Sequence, residues 1–213
     1  MFTGIVQGTS RIVAVSKRGG VLCVRVEKPR AWKLAHGGSV AIDGICSTVV
    51  ARGARWFEVE YMPETLSKTI AASLVRGSIV NLERPLRAGN PINGHLLHGH
   101  VDARGTVLRV QDEGSSRIVS VRAPRTLSPL IARGGSIAID GVALAVARKR
   151  EHVFSVALIP YTLTHTTLAR LAPGTEVNLE ADFIARTLLV GTRTGGKVRS
   201  NAAKRVRKKT RRA

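Results

Sequence analysis

One pattern is written twice in this chain of 213 residues, and that repeat constrains the fold more than any other feature. GGSVAIDGICSTVV (Gly37 to Val50) returns as GGSIAIDGVALAVA (Gly134 to Ala147). FEVEYMPETLSKTIAASLVRGSIVNLE (Phe57 to Glu83) returns as FSVALIPYTLTHTTLARLAPGTEVNLE (Phe154 to Glu180). The period is far too long for a solenoid and there are two copies, so the repeating unit is a whole domain. We therefore expect an N-terminal domain over 1–90, a C-terminal domain over 91–185, and a short helix with a basic tail over 186–213. Each domain is small but large enough for its own core.

Within copy one, RIVAV, VLCVRVE, SVAID, TVVAR, WFEVEY and SIVNLE are short, β-branched and partly alternating, which predicts strands. Gly19-Gly20 and Gly37-Gly38 mark turns, and Asp43-Gly44 predicts a tight hairpin because it readily supplies positive φ. Pro63 to Thr69 opens a short helix, with Leu66 and Ile70 four apart on one face. About six antiparallel strands cannot remain flat without exposed edges, so each copy is expected to close into a barrel. The fold class is all-β: tandem six-stranded antiparallel β-barrels, each with a short helix.

Charge is the second constraint. Lys and Arg number 34 against 14 Asp and Glu, a net charge of +20. Half of that excess lies beyond Leu189, in Arg193, Lys197, Arg199, Lys204, Arg205, Arg207, Lys208, Lys209, Arg211 and Arg212, with no acidic residue among them. Such a segment is expected to be disordered and to attract polyanions in a salt-sensitive way. It carries no interleaved aromatics for reading bases. No apolar run is long enough to span a membrane, and MFTGIVQG does not read as a secretory leader. Cys23 and Cys46 lack CxxC spacing and are expected to be reduced, as in a cytoplasmic protein.

The residues able to carry chemistry are few. Cys46 and Thr48 lie two apart on a strand and share a face, with Ser39 across the hairpin. They read either as locally satisfied hydroxyls beside a small apolar thiol or as a pocket wall. His95, His98 and His100 cluster in GHLLHGH (Gly94 to His100). Their spacing lacks a helical i, i+4 pair and no acidic or cysteine cluster accompanies them, so a hydrogen bond beside a ligand is expected and a metal is not. Asp43, Asp140 and Asp182 stand beside turns or strand ends, where aspartate is common.

Taken together, MFTGIVQG, the duplicated GGS(V/I)AIDG, Met62-Pro63-Glu64-Thr65-Leu66 with Ile159-Pro160-Tyr161-Thr162-Leu163, GHLLHGHVD and the paired VNLE segments resemble the riboflavin synthase family, including its lumazine-binding relatives. The resemblance covers residues 1 to about 185. It implies that each barrel binds 6,7-dimethyl-8-ribityllumazine and that one lumazine donates a four-carbon unit to another, without a cofactor. It implies a homotrimer with the working site between barrels of neighbouring subunits. Matched position by position, it implies catalytic roles for Phe2, Cys46, His100, Asp140 and Asp182. It implies substrate binding by Ser39, Thr48, Met62, Thr65, Gly94, Ile159 and Thr162.

Copy two departs from the family's KGSIxxDGxSLT. Gly134 replaces the lysine, with Arg133 one place earlier, and Ala143 and Ala145 replace the serine and threonine. Each lost hydrogen bond to a ligand costs about 1 kcal/mol. The alternative to an enzyme is therefore a lumazine- or flavin-binding protein with an impaired second site.

Overall fold

The computed structural model describes residues 1–189. Copy one contains β1 (Gly8–Arg18), β2 (Val21–Glu27), β3 (Ser39–Ile42), β4 (Ile45–Arg52), β5 (Trp56–Tyr61), helix α1 (Pro63–Lys68) and β6 (Ile79–Glu83). Copy two repeats that order as β7 (Ala103–Glu113), β8 (Ser116–Arg122), β9 (Ser136–Ile139), β10 (Val142–Arg150), β11 (Val153–Leu158), α2 (Pro160–His165) and β12 (Glu176–Ala181). The first set closes in the order β1-β2-β5-β4-β3-β6, and the second closes by the same circuit. Every neighbouring pair is antiparallel.

Alternation explains the closure. Along β4, Ile45, Ser47 and Val49 are buried while Cys46 and Thr48 are exposed, the period-two pattern of a strand with one face on a core. Matching register shifts at Ile12/Ala14 and Val107/Arg109, and at Val49/Ala51 and Val146/Arg148, let the long strands bend around the barrel. Each barrel has its own apolar core: Ile12, Val24, Phe57 and Leu82 in the first, and Val107, Ile137, Phe154 and Leu179 in the second. Burying side chains of this size contributes about 1.5–3 kcal/mol apiece.

The Asp43-Gly44 hairpin forms as the sequence predicts, with φ of 45° and 78°, and Asp140-Gly141 repeats it at 46° and 76°. Helix α1 starts on Pro63, whose fixed φ and missing N–H suit the first helical position. It ends one residue earlier than its periodicity suggests. Thr69 leaves the helix in an extended conformation, and its side chain accepts from the Ala71 amide to start a 3-10 turn over Ile70–Ser73. Residues 183–189 are helical, so the helix begins three residues before the expected boundary at 186, and a second compact unit begins at Phe183. The basic tail from Arg193 lies outside the described residues.

The barrels meet about a local pseudo-twofold axis. The Asn81 side chain donates to the Asp140 carbonyl at 3.0 Å and accepts from the Thr167 amide at 2.8 Å. Asn178 mirrors it, donating to the Asp43 carbonyl at 2.8 Å and accepting from the Ile70 amide at 2.9 Å. Phe2 and Leu97 exchange backbone hydrogen bonds on the axis and pack with Ala41 and Ala138. Gly44 and Gly141 face each other so closely that a Cβ on either would fall 2.7 or 2.6 Å from the other's amide nitrogen. Glycine is obligatory at both.

Candidate active site

Two short segments cross between the barrels and build the site. Gly99 lies along β4 and accepts the Cys46 amide at 2.9 Å, although it comes from the lead-in to barrel two. The lead-in to barrel one reciprocates: Gly4 lies along β10 and accepts the Ala143 amide at 2.8 Å. Carboxylates anchor both crossings. Glu83 accepts from the Thr3 and Gly4 amides at 2.7 and 3.0 Å, and Glu180 accepts from the His98 and Gly99 amides at 2.7 and 3.1 Å. Burial pushes Glu83 above the usual carboxylate range, opposed by its hydrogen bonds from Thr3 and Gly4. Close approach requires glycine again: a Cβ on Gly99 would sit 2.7 Å from the Cys46 Cβ, at φ 73°.

This crossing brings His100 to the outer face of barrel one. Ile45, Cys46, Glu64, Thr65, Lys68, Thr69, Gly99, His100 and Val101 line one cleft of about 170 Å³. Three sequence-predicted residues, Cys46, Thr65 and His100, thus meet in one place although they come from three elements. Thr48 lies two residues along the same face of β4, opposite Ser39 in the ladder. Met62 stands at the N-cap of α1, is 60% exposed and is not among the residues that line the cleft. Beneath the cleft, the buried Ser47 hydroxyl lies 2.9 Å from the Tyr61 hydroxyl, whose ionisation is pushed up by burial. A salt bridge of 2.7 Å joins Lys68 to Glu64 at the mouth. The sequence pattern did not reveal that pair, because neither residue recurs in copy two. The cleft therefore offers a thiol, a hydroxyl, an imidazole and both charges beside apolar Ile45 and Val101. That set suits a flat heterocycle with polar edges.

The equivalent face of barrel two is furnished differently. Ala143 stands for Cys46, Ala145 for Thr48, Ile5 for His100, and Tyr161 and His165 for Glu64 and Lys68. The Tyr161 and His165 rings stack at 4.0 Å. Ile159 replaces Met62 as the cap of α2 and is 55% exposed. Thr162 is half-buried on α2, and its carbonyl accepts from the Thr166 hydroxyl. A Cβ on Gly94 would lie 2.1 Å from the Thr3 carbonyl and 3.1 Å from the Ala143 Cβ, which places Gly94 against this second face. Gly134 has φ 77° and its counterpart Gly37 φ 75°, so both barrels turn here on glycine.

The remaining predicted residues lie elsewhere. Phe2 is 1% exposed in the contact between barrels. Asp140 is buried there too, accepting from the Asn178 amide at 2.7 Å, as Asp43 accepts from Asn81. Burial raises the Asp140 carboxyl to about 7, opposed by the Asn178 hydrogen bond. Burial and the nearby Asp140 raise Asp43 as well. Neither Phe2 nor Asp140 lines the cleft; both hold the barrels together. Asp182 follows β12 and is half-buried. Its charge partly offsets the burial that holds His95 below the usual histidine range, so the two lie near each other. Asn81, Glu83, Asn178 and Glu180 carry the interface, and the repeated VNLE contained all four.

Geometry of this kind defines a tandem-barrel protein with a polar cleft on the first barrel and a differently furnished equivalent face on the second. The lumazine binding domain family matches residues 3–85 and again 98–182. Relatives include a riboflavin synthase from Brucella abortus (strain 2308), 39% identical over 194 residues, covering 87% of this chain and 95% of that protein. A riboflavin synthase from Bacillus subtilis (strain 168) is 33% identical over 187 residues, covering 87% of each. Among solved structures, that of LumP complexed with riboflavin superposes with a TM-score of 0.78 at 24% identity, covering 85% of this chain and 99% of that one. LumP complexed with 6,7-dimethyl-8-(1'-D-ribityl) lumazine gives 0.76 at 23% identity, with the same coverage. The chain belongs to the riboflavin synthase family and is an enzyme of that kind, carrying the lumazine-binding domain twice.

Proposed function

We propose that the chain converts two molecules of 6,7-dimethyl-8-ribityllumazine into riboflavin and a ribitylamino-pyrimidinedione. The observation that carries this reading is the meeting of Cys46, Thr65 and His100 in one cleft made from both halves of the chain. One lumazine gives up a four-carbon unit and the other receives it, so carbon balances without an outside donor or oxidant. The reaction starts with loss of a proton from the acidic C7 methyl group, whose carbanion is delocalised into the ring. The protein's task is to stack two rings and move protons, and positioning alone lowers such a barrier by several kcal/mol. Cys46 and His100 border the ring in barrel one, Thr48 and Ser39 address its polar chain, and Met62 and Thr65 close the rim. Ile159, Thr162, Gly94 and Asp182 serve the second barrel, and Phe2 and Asp140 act by positioning. The active assembly is a cytoplasmic homotrimer that pairs barrel one of one subunit with barrel two of another.

A second reading, a lumazine- or flavin-binding protein without turnover, is favoured by Ala143, Ala145 and Ile5 on the second face. Incubating the purified protein with the lumazine separates the two. Riboflavin formation, followed by its absorbance, supports the enzyme. Tight binding of about one ligand per chain with no product leaves the binding protein.

A further inference from the structure

The outer sheet of barrel two carries an ordered array of cations that barrel one lacks. Register places Arg109, Ser120, Ser155 and Arg148 in one row across β7, β8, β11 and β10. The adjacent row holds Arg122, Val153 and Arg150. Residues directly opposite in a ladder share a face, and all four arginines are exposed. Barrel one supplies the control. Its equivalent first row reads Ala14, Arg25, Glu58 and Ala51, and its second has Glu27 and Trp56. There Arg25 is neutralised by Glu58 at 2.9 Å and stacks 4.0 Å over Trp56. In barrel two, serine replaces both partners of that pair, and arginine replaces the flanking alanines.

Four charges on one face are uncompensated. None of Arg109, Arg122, Arg148 and Arg150 forms a salt bridge among the described residues. Beside them, Arg133, Arg148, Lys149, Arg150, Val153 and Ser155 line a cleft of about 430 Å³ with no acidic side chain in its wall. Lys149 is held in place there by the Ser128 hydroxyl at 2.8 Å.

We propose that this face of barrel two binds the phosphate backbone of nucleic acid without reading its sequence. Arginine's planar fork pairs with phosphate through two hydrogen bonds, which suits it to this role better than a point charge. From Arg109 to Arg148 the row crosses three strand spacings, about 14 Å. A duplex presents about eight phosphate charges over that length, counting both strands. The face has no aromatic side chain on which to stack a base, so contact stays with the backbone. It also lacks the exposed apolar anchors that would favour a lipid surface, Val153 being half-buried. The tail from Arg193 to Ala213 adds ten charges of the same sign. This binding is independent of whether the chain makes riboflavin.

The test is anisotropy of a labelled mixed-sequence duplex titrated with the full chain at several salt concentrations. One variant combines Arg109→Ala, Arg122→Gln, Arg148→Ala and Arg150→Ala, placing alanine where barrel one itself carries it at two of the positions. A second changes the same four to lysine. The expected result is a log–log salt slope shallower by about two to four units for the neutral variant. The lysine variant should keep the slope of the parent, and both should keep its lumazine binding, which reports the fold. An unchanged slope in the neutral variant overturns the proposal and assigns polyanion affinity to the tail. Capture by anionic phospholipid vesicles with no duplex binding at the same salt overturns it in favour of a membrane surface.

Discussion

Single residues decide whether the two halves fit. Gly99 needs both a positive φ and the space that a Cβ would fill against Cys46. Gly99→Ala is therefore expected to destabilise the protein by about 2 kcal/mol or more, since the left-handed conformation alone costs about 1–2 kcal/mol. Gly19→Ala is the comparison, because Gly19 has φ 55° but nothing within 4 Å of a built Cβ. Denaturant titration should show the larger loss at Gly99. Cys46 and Thr48 are exposed on β4, so replacing both with alanine, as copy two has done, should leave stability nearly unchanged. Lumazine affinity should fall about thirtyfold, read by ligand fluorescence, at about 1 kcal/mol for each of the two lost contacts.

Asp140 makes a pH-dependent prediction. Its folded carboxyl titrates at about 7 against an ordinary value of 3.8. A raised acid contributes stability that is fully present below the unfolded value and lost as pH rises through the folded one. Thermal stability should therefore decline from about pH 4 to pH 7. Asp140→Asn, which keeps an acceptor for the Asn178 amide, should make that decline shallower, leaving the share of Asp43, which burial raises in the same direction. A melting temperature that falls equally in both proteins would rule out Asp140 as the source.

Elements divide into those legible from local pattern and those that are not. The Asp43-Gly44 hairpin, the strand alternation of β4 and the start of α1 at Pro63 all follow from neighbours within a few residues, and the structure keeps them. The crossing segments do not. Gly99 meets Cys46, and Gly4 meets Ala143, across long stretches of sequence with no shared periodicity. GHLLHGH therefore read as a histidine cluster, whereas its backbone hydrogen bonds to Glu180 and β4 are what bring His100 to the cleft. The duplicated VNLE held the signal, since an asparagine and a glutamate repeated on a buried strand need partners. Glu180→Ala should cost about 3 kcal/mol, because it orphans the buried Gly99 amide and the part-buried His98 amide at once. It should also weaken lumazine binding, because Gly99 and His100 lose their anchor. Glu83→Ala should cost as much stability while sparing the cleft around Cys46. Chemical denaturation alongside ligand titration separates the two effects.

For the whole molecule, the repeat fixes a pair of barrels that share a circuit but not a surface. Barrel one keeps a polar cleft and a neutralised outer sheet; barrel two carries Ala143, Ala145 and the stacked rings of Tyr161 and His165 on the equivalent face, and a cationic outer sheet. The crossing of segments also sets an order in time. Barrel one has all its strands once Glu83 is made, yet the wall beside Cys46 waits for Gly99 and for its anchor Glu180, while the Gly4 segment, made at the very start, waits for β10. At synthesis rates of about 5–20 residues per second, the strands of the first barrel precede that anchor by roughly five to twenty seconds. The cleft is thus completed later than the barrel that carries it, and a nascent chain halted between β6 and β12 would have the strands of barrel one without the anchored wall beside Cys46.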